Sequence, residues 1–143
     1  KPGYFALVLC AQNYSAVIGT AMLVKRNLFE QVKGFDEQFE IAYADIDFCM
    51  RVRQKGYLIV YNPYAELYCY ETKNKDQDRK RKNCFQKDSR SFEKRWKSVL
   101  EEGDPYYNQN LTLEKEDFSL KKESGKREDM KNGAKSKYCI TKL

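Results

Sequence analysis

The stretch from residue 41 to residue 56, IAYADIDFCMRVRQKG, constrains the fold most strongly. Four of its side chains recur with the spacing i, i+3, i+4 and i+7, and this periodicity predicts an amphipathic helix. They are Ile46, Cys49, Met50 and Arg53. Gly56 is a typical helix terminator. Two carboxylates, Asp45 and Asp47, stand where the helical pattern begins.

This carboxylate pair has two interpretations. Asp is favoured at the N-cap and in the first turn of a helix, where it meets free backbone N–H groups and the positive end of the helix dipole. A carboxylate at a helix start can also serve as a general base if it faces a cleft. The spacing alone favours capping, but it does not exclude the catalytic role.

The segment before this helix predicts a strand, a short helix and a loop. Residues 15–26, SAVIGTAMLVKR, are small and β-branched and predict a buried strand. Gly19 and Thr20 in its middle would let another group approach the backbone closely. Residues 27–34 predict a short helix with an Asn-x-x-Glu start and a Lys-Gly end. Residues 35–44 show no helical period and predict a loop.

The segment after the helix continues the alternation. Residues 57–71 predict two short strands separated by an Asn-Pro pair. Residues 73–83 predict a charged loop, residues 84–100 an amphipathic helix, and residues 101–113 an ordered, turn-rich loop. Strands that alternate with helices indicate an α/β fold. About three strands are too few for a self-sufficient doubly wound sheet, which favours a portion of a larger fold.

The positive charge of the chain is concentrated in its C-terminal tail. The net charge is +6, and residues 121–143 hold eight Lys/Arg and three Asp/Glu. Residues 1–120 then carry 19 basic and 18 acidic side chains, so this predicted folded portion is nearly neutral. A nucleic-acid partner is not expected, because it would need basic charge on a folded face. The tail, predicted to be flexible, and residues 79–82 could contact anionic lipid headgroups, although a solvated tail and loop are favoured.

Cysteine usage and hydropathy indicate a cytoplasmic chain. There are five Cys residues, no His residue and no Cys-x-x-Cys pair, which argues against a structural zinc site and favours free thiols in a reducing compartment. No stretch approaches the ~20 apolar residues of a membrane-spanning helix. The chain starts at Lys1 with a core-like apolar run, as expected of a fragment of a longer protein.

Several motifs resemble the C-terminal half of bacterial family-2 glycosyltransferases. GFDEQF, ADIDFCMRVRQKGY and VYNPYAELYCYET stand where that family has GGFDE, (E/N)DxDLCLRLRxxGY and VYTPYAELYHYES. GDPYYNQNL resembles the GDPYYNPNL ending of rhamnosyltransferase-like members. The match covers about residues 7–120. It implies a partial GT-A fold, a few-stranded mixed sheet with flanking helices, that lacks the N-terminal nucleotide-binding half.

The resemblance implies an inverting transferase that moves a sugar from a nucleotide-sugar donor to a glycan or lipid-linked acceptor in surface polysaccharide assembly. The action would take place at the cytoplasmic face of the membrane. Asp45 matches the family's catalytic base, which takes the proton of the acceptor hydroxyl while its oxygen attacks the anomeric carbon.

Other positions are expected to contact substrate or to support the base. Asp47 matches the second acid of the motif and would hold the loop or contact the acceptor. Gly19 and Thr20 match the strand beside the donor sugar and acceptor. Arg51 would pair with a carboxylate or phosphate, with a structural salt bridge as an equal alternative. Tyr107 would stack on acceptor sugars, although closing the core is the favoured role for this aromatic loop.

Two departures from the family pattern keep a second function open. Ala44 replaces the residue before the base, and Cys69 replaces a His near the diphosphate and its metal, where a thiol is a poor ligand for Mg²⁺ or Mn²⁺. The alternative is therefore a non-catalytic glycan-binding or scaffolding module on the same fold.

The absent N-terminal half has further consequences for the expected chemistry. A divalent cation is expected in the complete enzyme through the Asp-x-Asp motif of that half, and none on this chain alone. The isolated chain should therefore have little or no activity. Pairing of two chains through the surface left bare is a further expectation.

Overall fold

The computed structural model describes residues 4–68, 70, 78–113 and 118–121. A 3-10 helix, Tyr4–Leu9, comes first. The strands are β1 (Gln12–Tyr14) and β2 (Ile59–Tyr61). The α-helices are α1 (Arg26–Gln31), α2 (Ala44–Gln54), α3 (Asp78–Arg95) and α4 (Lys97–Glu102).

The sheet is a two-stranded antiparallel ribbon. Strands β1 and β2 pair with Gln12 opposite Tyr61, and with Tyr14 opposite Ile59. The α/β class is confirmed, but the described residues form no mixed sheet and no third strand. The second strand predicted after the Asn-Pro pair is absent from residues 64–68 and 70, and Cys69 lies outside the described residues.

The predicted buried strand at residues 15–26 is wrong. Residues 15–25 form no strand, and the side chain of Leu23 is 100% exposed. A strand needs a neighbour for its backbone N–H and C=O groups. In the described sheet β2 pairs with Gln12–Tyr14, and the chain then leaves the ribbon and follows helix α2.

Helix α2 lies at the centre of the fold because it is apolar on two sides. One cluster joins it to α1, and the other joins it to α3 and the α3–α4 junction. The first contains Leu28, Val32, Phe48 and Val52. The second contains Phe39, Met50, Phe92 and Trp96. The predicted helix and its end are confirmed, since Gly56 has a φ of +83° and its N–H donates to the Arg53 carbonyl at 2.8 Å.

Helix α1 ends as predicted but starts differently. Gly34 has a φ of +63°, and a Cβ at this position would lie 3.0 Å from the Phe29 ring, so only glycine fits this end. The predicted Asn-x-x-Glu start is wrong, because the helix already begins at Arg26. Asn27 accepts the N–H of Leu28, and the Glu30 carboxylate pairs with Arg26 instead of capping the helix.

The predicted helix over residues 84–100 is confirmed in two pieces that meet at Trp96. The predicted charged loop is wrong over residues 78–83, because helix α3 already begins at Asp78. Residues 73–77 of that prediction lie outside the described residues. No helix in the described ranges is long and apolar enough to cross a membrane. The predicted tail lies outside the described residues beyond Lys121.

Candidate active site

Asp45 lies in the first turn of α2 and is held from two directions. Tyr43, the residue before the helix, has a left-handed backbone (φ 70°), and no side chain caps the helix. One Asp45 oxygen accepts the N–H of the next residue, Ile46, at 2.8 Å, which is one of the backbone N–H groups left free in the first turn of a helix. The other oxygen accepts the N–H of Gly19 at 2.8 Å, in a segment outside the helix. The side chain remains partly exposed.

The backbone at Gly19 approaches Asp45 closely. A Cβ built on this glycine would lie 3.1 Å from the Asp45 Cβ, closer than most side-chain contacts. The structure therefore brings together two predicted site residues, and the group that approaches the glycine backbone is the candidate base itself. Thr20 is exposed in the same turn.

Residues 15–19 run along one face of α2 in the opposite direction. Besides the Gly19–Asp45 bond, Cys49 Sγ lies 3.9 Å from the Val17 carbonyl oxygen. Arg53 donates to Ser15 Oγ at 2.9 Å. Two residues of an extended chain advance ~6.6 Å and four residues of a helix ~6.0 Å, so every second residue of the segment meets every fourth residue of α2.

The middle contact of this face involves a neutral group. Burial raises the pKa of the Cys49 thiol above its usual value. The thiol therefore stays protonated at neutral pH and can serve as a weak donor to that carbonyl. Its role here is packing and alignment of the 15–19 segment on α2.

Asp47 is fully buried, with a side chain 0% exposed. One carboxylate oxygen accepts from Arg51 Nε at 2.8 Å. The other accepts from Arg95 at 2.9 Å and from the indole N–H of Trp96 at 2.9 Å. Of the two roles predicted for Asp47, this arrangement favours holding the structure over contacting an acceptor.

Arg51 joins α2 to the end of α1. Besides Asp47, its guanidinium donates to the carbonyl oxygens of Val32 and Gly34, the latter at 2.8 Å. Every guanidinium nitrogen therefore has a partner within the chain. This geometry favours the structural salt bridge over a phosphate contact for Arg51.

Tyr107 lines a cleft on another side of α2. The cleft has a volume of about 120 Å³ and lies between the end of α2, α4 and the loop that follows α4. The Tyr107 hydroxyl donates to the Thr112 carbonyl at 2.9 Å, and its ring lies 6.2 Å from that of Phe118. Tyr107 is not among the groups that contact Asp45, so the structure does not bring these two predicted site residues together.

Sequence reasoning missed a polar chain at the mouth of this cleft. Ser15 Oγ accepts from Arg53 and donates to Asp104 at 2.6 Å. Asp104 also accepts the N–H of Tyr106 at 2.9 Å. The Asp-Pro pair at residues 104–105 was the available signal, because Asp before such a turn commonly accepts the N–H two residues on.

Asp88 was also missed, and it supports the start of α2 from α3. The residue is 1% exposed, and one oxygen accepts the N–H groups of Ile41 and Ala42 at 2.9 and 3.1 Å. Its other oxygen is buried without a partner in the described part of the chain. Its sequence signal was a carboxylate four residues before Phe92, on the apolar face of the predicted helix.

The two departures from the family pattern have different outcomes. Ala44 packs against the cluster that contains Phe92 and Trp96, so it fills apolar space beside the candidate base. Cys69 lies outside the described residues. Among the described residues, no group of three or more Cys, Asp and Glu side chains is placed to hold a metal ion.

Three relatives of known sequence are similar to this chain over between 42% and 82% of its length. A Sinorhizobium fredii protein of unassigned function, y4gI, is 40% identical over 122 residues, which is 82% of this chain and 13% of that protein. The O-antigen biosynthesis protein RfbC of Myxococcus xanthus is 26% identical over 78% of this chain and 8% of its own length. An N-acetylglucosaminyl-diphospho-decaprenol L-rhamnosyltransferase of Mycobacterium tuberculosis is 37% identical over 42% of this chain and 20% of its own length.

The chain thus spans at most a fifth of these relatives' lengths. No family model and no solved structure matches it. The named relatives support a glycosyltransferase-like family for the chain.

Proposed function

We propose that the chain is the acceptor-side portion of an inverting, nucleotide-sugar-dependent glycosyltransferase that acts in polysaccharide assembly. Similarity to a protein named for O-antigen biosynthesis and to a named rhamnosyltransferase supports the reaction class. The α/β elements are compatible with part of a GT-A fold. The acceptor in this proposal is a glycan or a lipid-linked sugar, reached from the cytoplasmic face of the membrane.

The observation that carries the proposal is the setting of Asp45. Its carboxylate is partly exposed and is fixed by one N–H on each oxygen, from Gly19 and Ile46. A carboxylate oxygen has two lone pairs, so each keeps one for an incoming hydroxyl. Fixed orientation is what a general base needs, because the proton must be reached within hydrogen-bond distance.

In the proposed reaction Asp45 accepts the proton of the acceptor hydroxyl as that oxygen forms a bond to the anomeric carbon. The bond from this carbon to the nucleoside diphosphate breaks on the opposite side, and the configuration inverts. Asp47 and Arg51 hold α2 in place. Thr20, which is exposed in the turn that follows Gly19, contacts substrate in this proposal.

The donor and its cation belong to another part of the complete protein in this proposal. A divalent cation there would offset the charge of the departing diphosphate. The chain's own contribution is the base, its alignment and the acceptor surface. The isolated chain is therefore expected to turn over little donor.

A second function is favoured by one observation. Both Asp45 oxygens already accept N–H groups within the chain, as they would in a first-turn carboxylate with a purely structural role. The corresponding candidate is a glycan-binding or scaffolding module with no chemistry.

Transfer by the complete protein distinguishes the two functions. The protein is incubated with nucleotide-linked sugars, L-rhamnose among them, and an acceptor ending in N-acetylglucosamine on a lipid diphosphate. Release of nucleoside diphosphate and a product of inverted anomeric configuration, read by NMR, are expected. Retained configuration would overturn the inverting mechanism, and glycan binding without turnover of any donor would favour the binding module.

A further inference from the structure

We propose that Asp88 is a positioning residue for the reaction, because it holds from helix α3 the turn that places Asp45. Asp88 does not touch the substrate in this proposal, and its effect on the rate passes through the candidate base. The inference therefore rests on the proposed function and adds to it a residue from another helix.

Asp88 binds the backbone immediately before α2. One of its carboxylate oxygens accepts the N–H of Ile41 at 2.9 Å and the N–H of Ala42 at 3.1 Å. Asp45 follows three residues after Ala42, in the first turn of the helix. Asp88 is only 1% exposed, so water competes little for these two bonds, and a charged acceptor makes them stronger than a neutral one would. The segment before α2 is thus fixed to α3.

Tyr43 connects this anchored segment to the helix. Its backbone has a φ of 70°, a left-handed conformation that is unfavourable for a non-glycine residue and persists where surrounding contacts hold it. Two contacts from α3 do so. Asp88 binds the two residues before the turn, and the Phe92 ring stacks on the Tyr43 ring at a centroid distance of 4.9 Å. The Tyr43 carbonyl accepts the N–H of Asp47 at 2.8 Å, so the first turn of α2 begins on this anchored residue.

Asp45 is then fixed at both its side chain and its backbone. The Gly19 N–H donates to its carboxylate at 2.8 Å, and the turn at Tyr43 sets where its backbone lies. Loss of the Asp88 bonds removes the second support and leaves the first, so the start of α2 can shift in a protein that remains folded. Proton transfer requires heavy atoms within about 3.2 Å of each other, and a small displacement of a catalytic group lowers the rate.

The burial of Asp88 indicates a role beyond stability. Its second oxygen is buried and has no hydrogen-bond partner in the described part of the chain. A buried carboxylate oxygen without a partner is unfavourable, because the water it gave up on folding has not been replaced. Charge-assisted alignment of the turn before the base offsets this cost in the proposal.

The test is kcat of the complete protein at saturating donor and acceptor. Asp88→Ala should lower kcat about tenfold and leave the KM for the donor within about twofold, because only the alignment of the base is lost. Asp88→Leu keeps the approximate shape of the side chain but offers no acceptor. It should give the same loss, and it serves as the test if the alanine protein does not fold. Asp88→Asn should stay within about threefold of the natural rate, because its amide oxygen can still accept both N–H groups.

A double variant shows whether Asp88 acts through Asp45. In an Asp45→Asn protein the base is already absent, so adding Asp88→Ala should lower kcat no further. A further loss of about tenfold in the double variant would mean that Asp88 affects another step, and it would overturn the proposal.

Val32→Ala is the control for stability. Val32 is 6% exposed in the cluster that joins α1 to α2, so its truncation should lower the urea midpoint without reaching the turn at Tyr43. This variant should keep the natural kcat. A loss of rate equal to that of Asp88→Ala would show that lowered stability alone explains the effect, and the positioning role would fall.

Amide hydrogen exchange provides a readout that does not depend on the reaction. Exchange at Ile41 and Ala42 should become faster in Asp88→Ala and stay slow in Asp88→Asn. Unchanged exchange in the alanine protein would overturn the proposal. A natural protein that transfers no sugar would overturn the proposed function and the positioning role together, whereas normal transfer with an unchanged rate in Asp88→Ala would overturn the positioning role alone.

Discussion

The Asp45 carboxylate accepts the backbone N–H of Gly19 at 2.8 Å, and a Cβ on that glycine would lie 3.1 Å from the Asp45 Cβ. The two residues are 26 positions apart in the sequence, so the contact depends on how residues 15–19 lie along α2. A side chain at position 19 would push directly on the candidate base.

Gly19→Ala should therefore lower turnover more than it lowers stability. A shift of a few tenths of an ångström in a catalytic group is expected to cost about tenfold or less, since 1 Å can cost 100-fold. The measurement is kcat of the complete protein together with its urea unfolding curve.

Gly56→Ala is the contrasting control. That glycine has open space around it and a φ of +83°, so alanine should cost about 1 kcal/mol of stability and leave kcat unchanged. A full rate for folded Gly19→Ala would contradict the alignment role.

Asp88 should tolerate asparagine but not alanine. One oxygen accepts two N–H groups, and the other is buried without a partner among the described residues. Asparagine keeps an acceptor for both N–H groups, and a neutral amide costs less to bury than a carboxylate. Alanine leaves both N–H groups unpaired and should lower the free energy of unfolding by about 2–3 kcal/mol, against about 1 kcal/mol or less for asparagine. Equal losses in urea unfolding would show that the two hydrogen bonds are not the source of the stability.

Asp47→Asn should lower the free energy of unfolding. The side chain is 0% exposed and accepts hydrogen bonds from Arg51, Arg95 and Trp96. Removing its charge leaves Arg51 without a counterion and Arg95 with Asp36 alone. Breaking a buried pair costs about 3 kcal/mol, here at the low end because both arginines reach solvent. The control is Glu40→Gln, whose pairing with Lys87 is exposed and should make no measurable difference. A stable Asp47→Asn protein that has lost turnover would instead indicate a direct role in the reaction.

The contribution of Asp36 to stability should disappear in acid. The backbone N–H of Gln38 lowers the pKa of Asp36 below its usual value near 3.8, and Arg95 lowers it further. A carboxyl whose folded pKa is lowered stabilises the protein above the unfolded pKa, and loses that contribution as the pH falls through the folded value. Asp36→Asn should therefore be less stable than the natural protein at neutral pH, with a difference that closes below about pH 3.8. Urea midpoints measured across this range check it, and a difference that persists in acid would mean that the charge is not responsible.

The parts of the fold that the sequence predicted depend on local signals. Helix α2 and the helix ends at Gly34 and Gly56 could be predicted because hydrophobic periodicity and a left-handed terminal glycine depend only on residues close together in the sequence. The strand prediction at residues 15–26 was wrong because a strand needs a neighbouring strand with which to pair. Small and β-branched residues can also pack along a helix without forming a strand.

The same distinction applies to the site. Local pattern placed Asp45 at a helix start, and the resemblance gave it a role. The partners of Asp47 on α3 and at Trp96 lie 48 and 49 positions away, and those of Asp88 lie 46 and 47 positions away. Such contacts follow from the packing of α2 against α3, which no short stretch encodes. The long-range partners of these two carboxylates could therefore not be predicted from the sequence, although Asp88 stood on the apolar face of its predicted helix.

A general base at position 45 needs a carboxylate, so kcat of Asp45→Asn in the complete protein shows whether Asp45 accepts the proton of the acceptor. Asparagine keeps the shape and one acceptor oxygen but cannot take up the proton. We expect kcat to fall by about 10²–10⁴-fold, with the KM for the donor and the unfolding midpoint close to those of the natural protein. Glu40→Gln, which removes an exposed carboxylate paired with Lys87, should keep its rate. An Asp45→Asn protein that transfers sugar at the full rate would show that Asp45 is not the general base.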